Sequence, residues 1–215
     1  MSKKELEQRS FTFEIRAEKT ERGSVITGRP IVYNSRTDMG YFDEVIEPGA
    51  LDKTDLTDVR FLVNHNLQMI PLARSRKNTP NSTMQLMPDF EGLNIRVNLD
   101  TENNAEARSL YSAVERGDMS GMSFKFHVDD EEWENLDSDH PTRHIRSFST
   151  VVEVSAVTFP AYEATEIEAR SKEALDNARS AVETARHESA NDNNSVDTEL
   201  ELLKAKTKTL ILLGG

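Results

Sequence analysis

The sequence predicts an α+β, mostly β domain followed by a helical C-terminal extension. Short stretches of alternating apolar and polar residues recur up to about residue 160, the cleanest being Leu93, Ile95, Val97 and Leu99. One internal stretch, residues 102–116, has helical spacing instead, with Ala107, Leu110, Tyr111 and Val114 at i, i+3, i+4 and i+7. From Glu163 the chain becomes charged and Ala-rich, with a thin apolar stripe of Ile167, Leu175, Ala178, Val182 and Ala185 that suits a helix packed on the domain or on a partner. These changes of character divide the chain into a domain over residues 1–165 and a tail over 166–215.

In chain order, Phe11, Phe13 and Ile15 alternate with Thr12, Glu14 and Arg16 as in a half-buried strand. A turn at Glu21-Arg22-Gly23 leads to a second strand from Val25 to Tyr33, so the pair reads as a hairpin. Tyr41–Ile46 is a further extended segment, Glu47-Pro48-Gly49 punctuates, and residues 50–55 suit a short helix. The apolar run Val59–Val63 ends just before His65. Thr83–Met87 and Leu93–Leu99 read as two strands. Thr101 is placed to cap the helix that follows, Glu102 lies near its positive end, and Gly117 ends it. Met122–Val128 is a strand carrying Ser123. Residues 129–141 are acidic and polar, as in a loop or hairpin tip, and Arg143–Phe148 and Val151–Phe159 are extended. In the tail, residues 187–196 read as a polar linker and residues 197–215 as a short amphipathic piece.

Composition narrows the function. Hydrophobic residues make up 36 % of 215, low for a chain folded throughout, which fits a tail outside the core. A formal net charge of −12 repels a phosphate backbone, so no nucleic-acid partner is expected. The absence of cysteine excludes disulfides, thiolate metal sites and a cysteine nucleophile. The charged N-terminal stretch has no apolar run behind it, as a secretory signal would, and no segment of about 18 apolar residues predicts a membrane span. Walker, dinucleotide-glycine and H-E-x-x-H patterns are absent, as is the G-x-S-x-G elbow.

Three residues stand out chemically. His65, at the end of a buried strand and between Asn64 and Asn66, is placed to be oriented by hydrogen bonds, although a boundary histidine reads the same way. Ser123 sits in a packed strand after Gly121. A serine hydroxyl is a poor nucleophile without a base to take its proton, so it needs a partner such as His65; an ordinary strand serine is the competing reading. Ser120 is a second candidate, disfavoured because it falls in the preceding turn. Glu153 lies inside the apolar run Val151–Val157, where a buried carboxylate needs a partner and a histidine ring N–H is a natural one; a glutamate on a solvent-facing edge is the other reading. His144 is an alternative third member in a Ser-His-His arrangement. His140 and His144 with Asp137 and Asp139 match no recognised zinc spacing, so neither metal nor cofactor is expected.

The ordered series Tyr33-Asn34-Ser35, Glu47-Pro48-Gly49-Ala50, Leu62-Val63-Asn64-His65-Asn66, Pro71-Leu72-Ala73-Arg74, Gly121-Met122-Ser123-Phe124 and Glu153-Val154-Ser155-Ala156-Val157-Thr158-Phe159-Pro160-Ala161-Tyr162 resembles the tailed-phage prohead (capsid maturation) proteases. It runs from about residue 11 to 165, about three quarters of the chain. That family is related in fold to the herpesvirus assemblins, so the resemblance implies a closed antiparallel β-barrel with surrounding helices. It implies Ser123 as nucleophile, His65 as base and Glu153 as orienting acid, in the position where assemblins place a second histidine. Lys125 and Phe126 depart from the Gly-Phe that many relatives carry. The implied task is cleavage of scaffold segments and of the major capsid protein precursor, and of the protease itself, inside the procapsid in the host cytoplasm. A homodimer is implied by the assemblin relation.

Three other classes compete. A catalytically silent assembly protein on the same fold is favoured by the helical tail and disfavoured by the joint presence of His65, Ser123 and Glu153. An esterase using the same pair is disfavoured by the missing elbow and the missing strand–helix alternation. A metal-dependent nuclease conflicts with the negative charge.

Overall fold

A computed structural model describes residues 6–11, 15–21, 23–158 and 176–190. The strands are β1 (Glu7–Phe11), β2 (Arg16–Thr20), β3 (Gly23–Val32), β4 (Arg36–Asp38), β5 (Asp43–Ile46), β6 (Arg60–Val63), β7 (Ala73–Arg74), β8 (Met84–Pro88), β9 (Gly92–Leu99), β10 (Gly121–Glu134) and β11 (Thr142–Val157), with helix α1 (Ala105–Glu115) between β9 and β10. A second helix, α2, covers residues 176–190. No helix among the described residues is long and apolar enough to cross a membrane.

The strands form two sheets. The smaller runs β2-β3-β9-β8, all antiparallel, and contains the Leu93–Leu99 alternation; its β2–β3 hairpin turns where expected, but its first strand is Arg16–Thr20, whereas Phe11 of the expected strand ends β1 in the other sheet. The larger runs β1-β10-β11-β5-β4, with β6 also on β11 and β7 on β6. Strand β11 is long enough to serve two parallel neighbours, β5 along Thr142–Ile145 and β6 along Glu153–Ala156. The facing sides of the sheets share one core, in which Phe124, Phe126 and Phe148 pack ring against ring with centroids 4.9–6.1 Å apart. Four register shifts in the β10–β11 pairing between Lys125 and Glu131 bend the ribbon, three of them with the extra residue on β11, since each extra residue kinks and twists its strand.

The closed antiparallel barrel is not observed: among the described residues neither sheet closes, and two pairings are parallel. The gap between β7 and β8 has a physical cause. Side chains take the backbone groups that a ladder would use. Asn78 accepts from the Leu86 N–H at 2.8 Å and donates to the Leu86 carbonyl at 2.7 Å, and the Thr83 hydroxyl accepts from the Arg74 N–H at 2.9 Å. With those groups satisfied, nothing drives main-chain pairing across the gap.

Smaller corrections follow the same logic. α1 starts at Ala105, not 102, because Asn104 is the cap and accepts from the Glu106 and Ala107 N–H groups; Asp100 holds Asn103 in the preceding turn. In place of a helix over residues 50–55, residues 50–53 form turns and Asp55 makes a bridge to Thr150. Most of the acidic 129–141 segment is strand and hairpin tip, since β10 continues to Glu134. The linker expected at 187–196 begins as helix through residue 190, and its remainder, like residues 197–215, lies outside the described residues. Of the tail stripe, Ala178 and Val182 bury against Phe42 and Trp133, while Arg186 donates to the carbonyls of Leu136 and Ser138 at the hairpin tip. Ile167 and Leu175 lie outside the described residues, as do residues 12–14 of the first predicted strand.

Candidate active site

β6 delivers His65 through a tight turn. Asn64 and His65 both take the left-handed backbone conformation, at φ 48° and 57°, which is uncommon for residues with a Cβ and is kept only where surroundings enforce it. The enforcement comes from β11. The Asn64 N–H donates to the Ala156 carbonyl at 2.9 Å, the Asn64 side chain accepts from the Thr158 N–H at 3.0 Å, and the His65 N–H donates to the Ser155 hydroxyl at 3.2 Å. The asparagines flanking His65 thus shape its turn and make no bond to its ring: Asn66 accepts from the Gln68 N–H.

The ring itself meets Glu153. His65 Nδ1 lies 2.5 Å from Glu153 Oε1. A carboxylate only accepts, so Nδ1 carries a proton, and in the neutral ring Nε2 is left with its lone pair. Nε2 is buried and has no hydrogen-bond partner among the described residues. Glu153 is fully buried, and its second oxygen accepts from the Ser155 hydroxyl at 2.6 Å. Ser155 therefore spends its only proton on Glu153 while accepting from the His65 backbone. It locks ring, turn and carboxylate together. Sequence reasoning passed over Ser155; its signal was the two-residue spacing from Glu153, which puts both side chains on one face of the strand.

Ser123, on β10, lies directly opposite Ser155 in the antiparallel register. Opposed residues share a face with Cβ atoms about 4.5–5.5 Å apart, so Ser123 stands on the same face as Ser155 and Glu153. Its side chain is 0 % exposed, and its hydroxyl donates to the main-chain oxygen of Arg9 on β1 at 2.7 Å. Ser120 is exposed in the connection before β10. His144 is not near this group of residues along β11: it lies with Glu47 at 3.0 Å and Glu134 at 3.3 Å. His140 pairs with Asp43 at 3.2 Å, in a group with Asp38 and apart from His144.

The reverse side of the β1–β10 edge carries a buried ion network that the sequence did not reveal. Glu44 on β5, 2 % exposed, receives Arg9 through Nε at 2.5 Å and Nη2 at 2.6 Å, and Arg143 Nη1 at 3.1 Å. Arg143 also donates to Glu7 at 2.6 and 2.8 Å and to Glu131. The Arg9 guanidinium lies 5.4 Å from the centre of the Phe126 ring. Burial opposes charge on Arg9, but Glu44 and Glu7 outweigh it and hold the guanidinium above its ordinary pKa. Burial would raise the Glu7 carboxyl, yet Arg143 and Arg9 bring it down to about 2.

A histidine fixed by a buried carboxylate, with a buried serine on the same face of the strand beside that carboxylate, is an arrangement suited to a serine peptidase. The family described as caudovirus prohead serine protease matches residues 11–179 of the 215, and the chain belongs to that family. No curated protein and no solved structure matches the chain.

Proposed function

We propose that the protein is the endopeptidase of procapsid maturation, working by acyl transfer through Ser123. The reading rests on the His65 ring: Nδ1 is committed to Glu153, and Nε2 keeps a buried lone pair without a partner among the described residues. Leaving a buried acceptor unmatched is costly, and such groups commonly have a chemical task. Ser155 cannot be the nucleophile in this arrangement, because its proton is given to Glu153. Ser123 supplies the hydroxyl.

In the proposed cycle the Ser123 hydroxyl turns from the Arg9 carbonyl to His65 Nε2. Its oxygen attacks a peptide carbonyl carbon while Nε2 takes the proton, and the imidazolium then gives that proton to the leaving amine. Water enters, is deprotonated by His65 and releases the acyl group. Glu153 stabilises the imidazolium and holds the tautomer, with Ser155 holding Glu153. Substrates on this reading are scaffold segments, the major capsid protein precursor and the protease itself, within the procapsid in the host cytoplasm. A homodimer and the absence of a nucleic-acid partner belong to the same reading.

One observation favours the alternative, a catalytically silent assembly protein: Ser123 is covered and its hydroxyl is engaged by β1. Labelling with a fluorophosphonate, followed by peptide mapping, separates the two. The proposed enzyme forms an adduct at Ser123 that disappears in His65→Ala. An unreactive Ser123, under conditions where capsid precursor is also left uncut, would favour the silent protein.

A further inference from the structure

The edge strand β1 covers the proposed nucleophile in a specific register. Gln8 faces Lys125, Arg9 faces Phe124 and Ser10 faces Ser123, and the Ser123 hydroxyl bonds to the Arg9 carbonyl oxygen. Within this segment the peptide carbonyl presented to Ser123 is therefore that of the Arg9–Ser10 bond. Arg9 places its guanidinium on Glu44, and Glu7, two residues earlier, meets Arg143. Among the described residues, β1 pairs with no strand other than β10. An extended segment on a sheet edge beside a nucleophile, with alternate side chains read by charged pockets, has the form of peptide recognition by strand addition.

The tetrad in this seat, Glu7-Gln8-Arg9-Ser10, recurs in the chain. Glu168-Ala169-Arg170-Ser171 has the same acid, basic and serine positions, just after the change of composition that ends the domain. A third copy, Glu106-Ala107-Arg108-Ser109, lies in α1, where helical geometry and the burial of Ala107 keep it from extending along an edge.

We propose that the β10 edge beside Ser123 is the substrate seat for extended Glu-x-Arg segments, that β1 occupies it here, and that Arg170–Ser171 is the bond cut when Glu168–Ser171 takes β1's place. Resting on the endopeptidase reading, the step is a hydrolysis. Ser123 Oγ bonds to the Arg170 carbonyl carbon, the C–N bond to Ser171 breaks, and the Ser171 nitrogen leaves with the proton passed through His65. One water then restores Ser123 and leaves the Arg170 carboxylate. Glu44 selects the basic side chain on the acyl side and Arg143 the acidic one two residues before it. Residues 171–215 are released.

Binding tests the seat without chemistry. Full-length protein carrying Ser123→Ala and Arg9→Ala, with a melting curve and circular dichroism spectrum like those of Ser123→Ala, is titrated with a fluorescent peptide of residues 164–173. Gln8→Pro replaces Arg9→Ala if the latter does not fold, since proline weakens an edge strand by removing its N–H. The peptide is expected to bind at least about 10-fold more tightly than to Ser123→Ala alone, where β1 stays seated. Changing its arginine to glutamate is expected to weaken binding at least about 30-fold, as for a fully desolvated charge pair. Equal affinity for the two peptides, or no binding, overturns the seat. Intact mass of the wild type then locates the cut: a fragment ending at Arg170, absent from Arg170→Glu, is expected, and self-cleavage at a bond without a basic acyl-side residue overturns the assignment. Charge-selective binding without cleavage in the wild type would leave the seat in place and count against the protease reading.

Discussion

His65 Nδ1 and Glu153 Oε1 are 2.5 Å apart, and the carboxylate that makes this contact is fully buried in the β-sheet. A buried charge is tolerated only when it is paired, and here the ring and the Ser155 hydroxyl take one oxygen each. Glu153→Gln keeps the shape but offers an amide where an acceptor is needed, which favours the other ring tautomer. The expected result is a fall in kcat of about 10²–10⁴-fold with KM little changed. It is measured on a cleavable peptide at saturating concentration, with a melting curve to show that the fold survives.

Ser155→Ala removes the hydroxyl that joins Glu153 to the His65 backbone. One oxygen of a buried carboxylate then loses its donor, at a cost of about 1–3 kcal/mol in stability. As Ser155 is a positioning residue, its loss is also expected to lower kcat with KM little changed. Ser155→Thr, which retains a hydroxyl, is expected to restore part of both. A stability loss with an unchanged kcat would make the role structural alone.

Glu7 gives β1 an acid-sensitive anchor. Its folded-state pKa is depressed from 4.5 to about 2 by Arg143 and Arg9, against the effect of burial. A depressed carboxyl contributes stability that is complete above the unfolded value and is lost as pH falls through the folded one, here from about pH 4.5 down to 2. The contribution is up to about 3 kcal/mol. Denaturant midpoints measured across that window are expected to fall more steeply for wild type than for Glu7→Gln.

Gly92 fixes the pairing of β9 with β3. It has φ +148°, and a Cβ there would lie 2.0 Å from the Ile31 carbonyl oxygen, which is backbone and cannot step aside. Gly92→Ala is expected to destabilise the domain by roughly 2 kcal/mol or more, read as a lower melting temperature.

The parts of this architecture that the sequence made legible are those set by local pattern. Leu93–Leu99 alternates because one face of β9 is core, and Ala107, Leu110 and Val114 repeat at helical spacing because one side of α1 is buried. Glu153 could be singled out because a charge among valines demands a partner. What escaped depends on contacts distant in sequence. Glu7 and Arg9 look like ordinary surface charges until Glu44 and Arg143, 35 and more residues away, surround them. β1 was unreadable for that reason: its described charged side chains are held by ion pairs. The open edge at β8 depends on Asn78, a turn residue whose side chain happens to reach Leu86. The closed barrel came from family likeness, and nothing local in residues 73–88 could have corrected it.

The central claim, that Ser123 is the nucleophile of a maturation protease, is tested most directly by intact mass. Wild type and Ser123→Ala are incubated at high concentration, each with and without capsid precursor. New fragments are expected in wild type alone, both from the precursor and from the protease's own tail. Fragments of equal yield in both proteins would contradict it and would move the nucleophile away from Ser123.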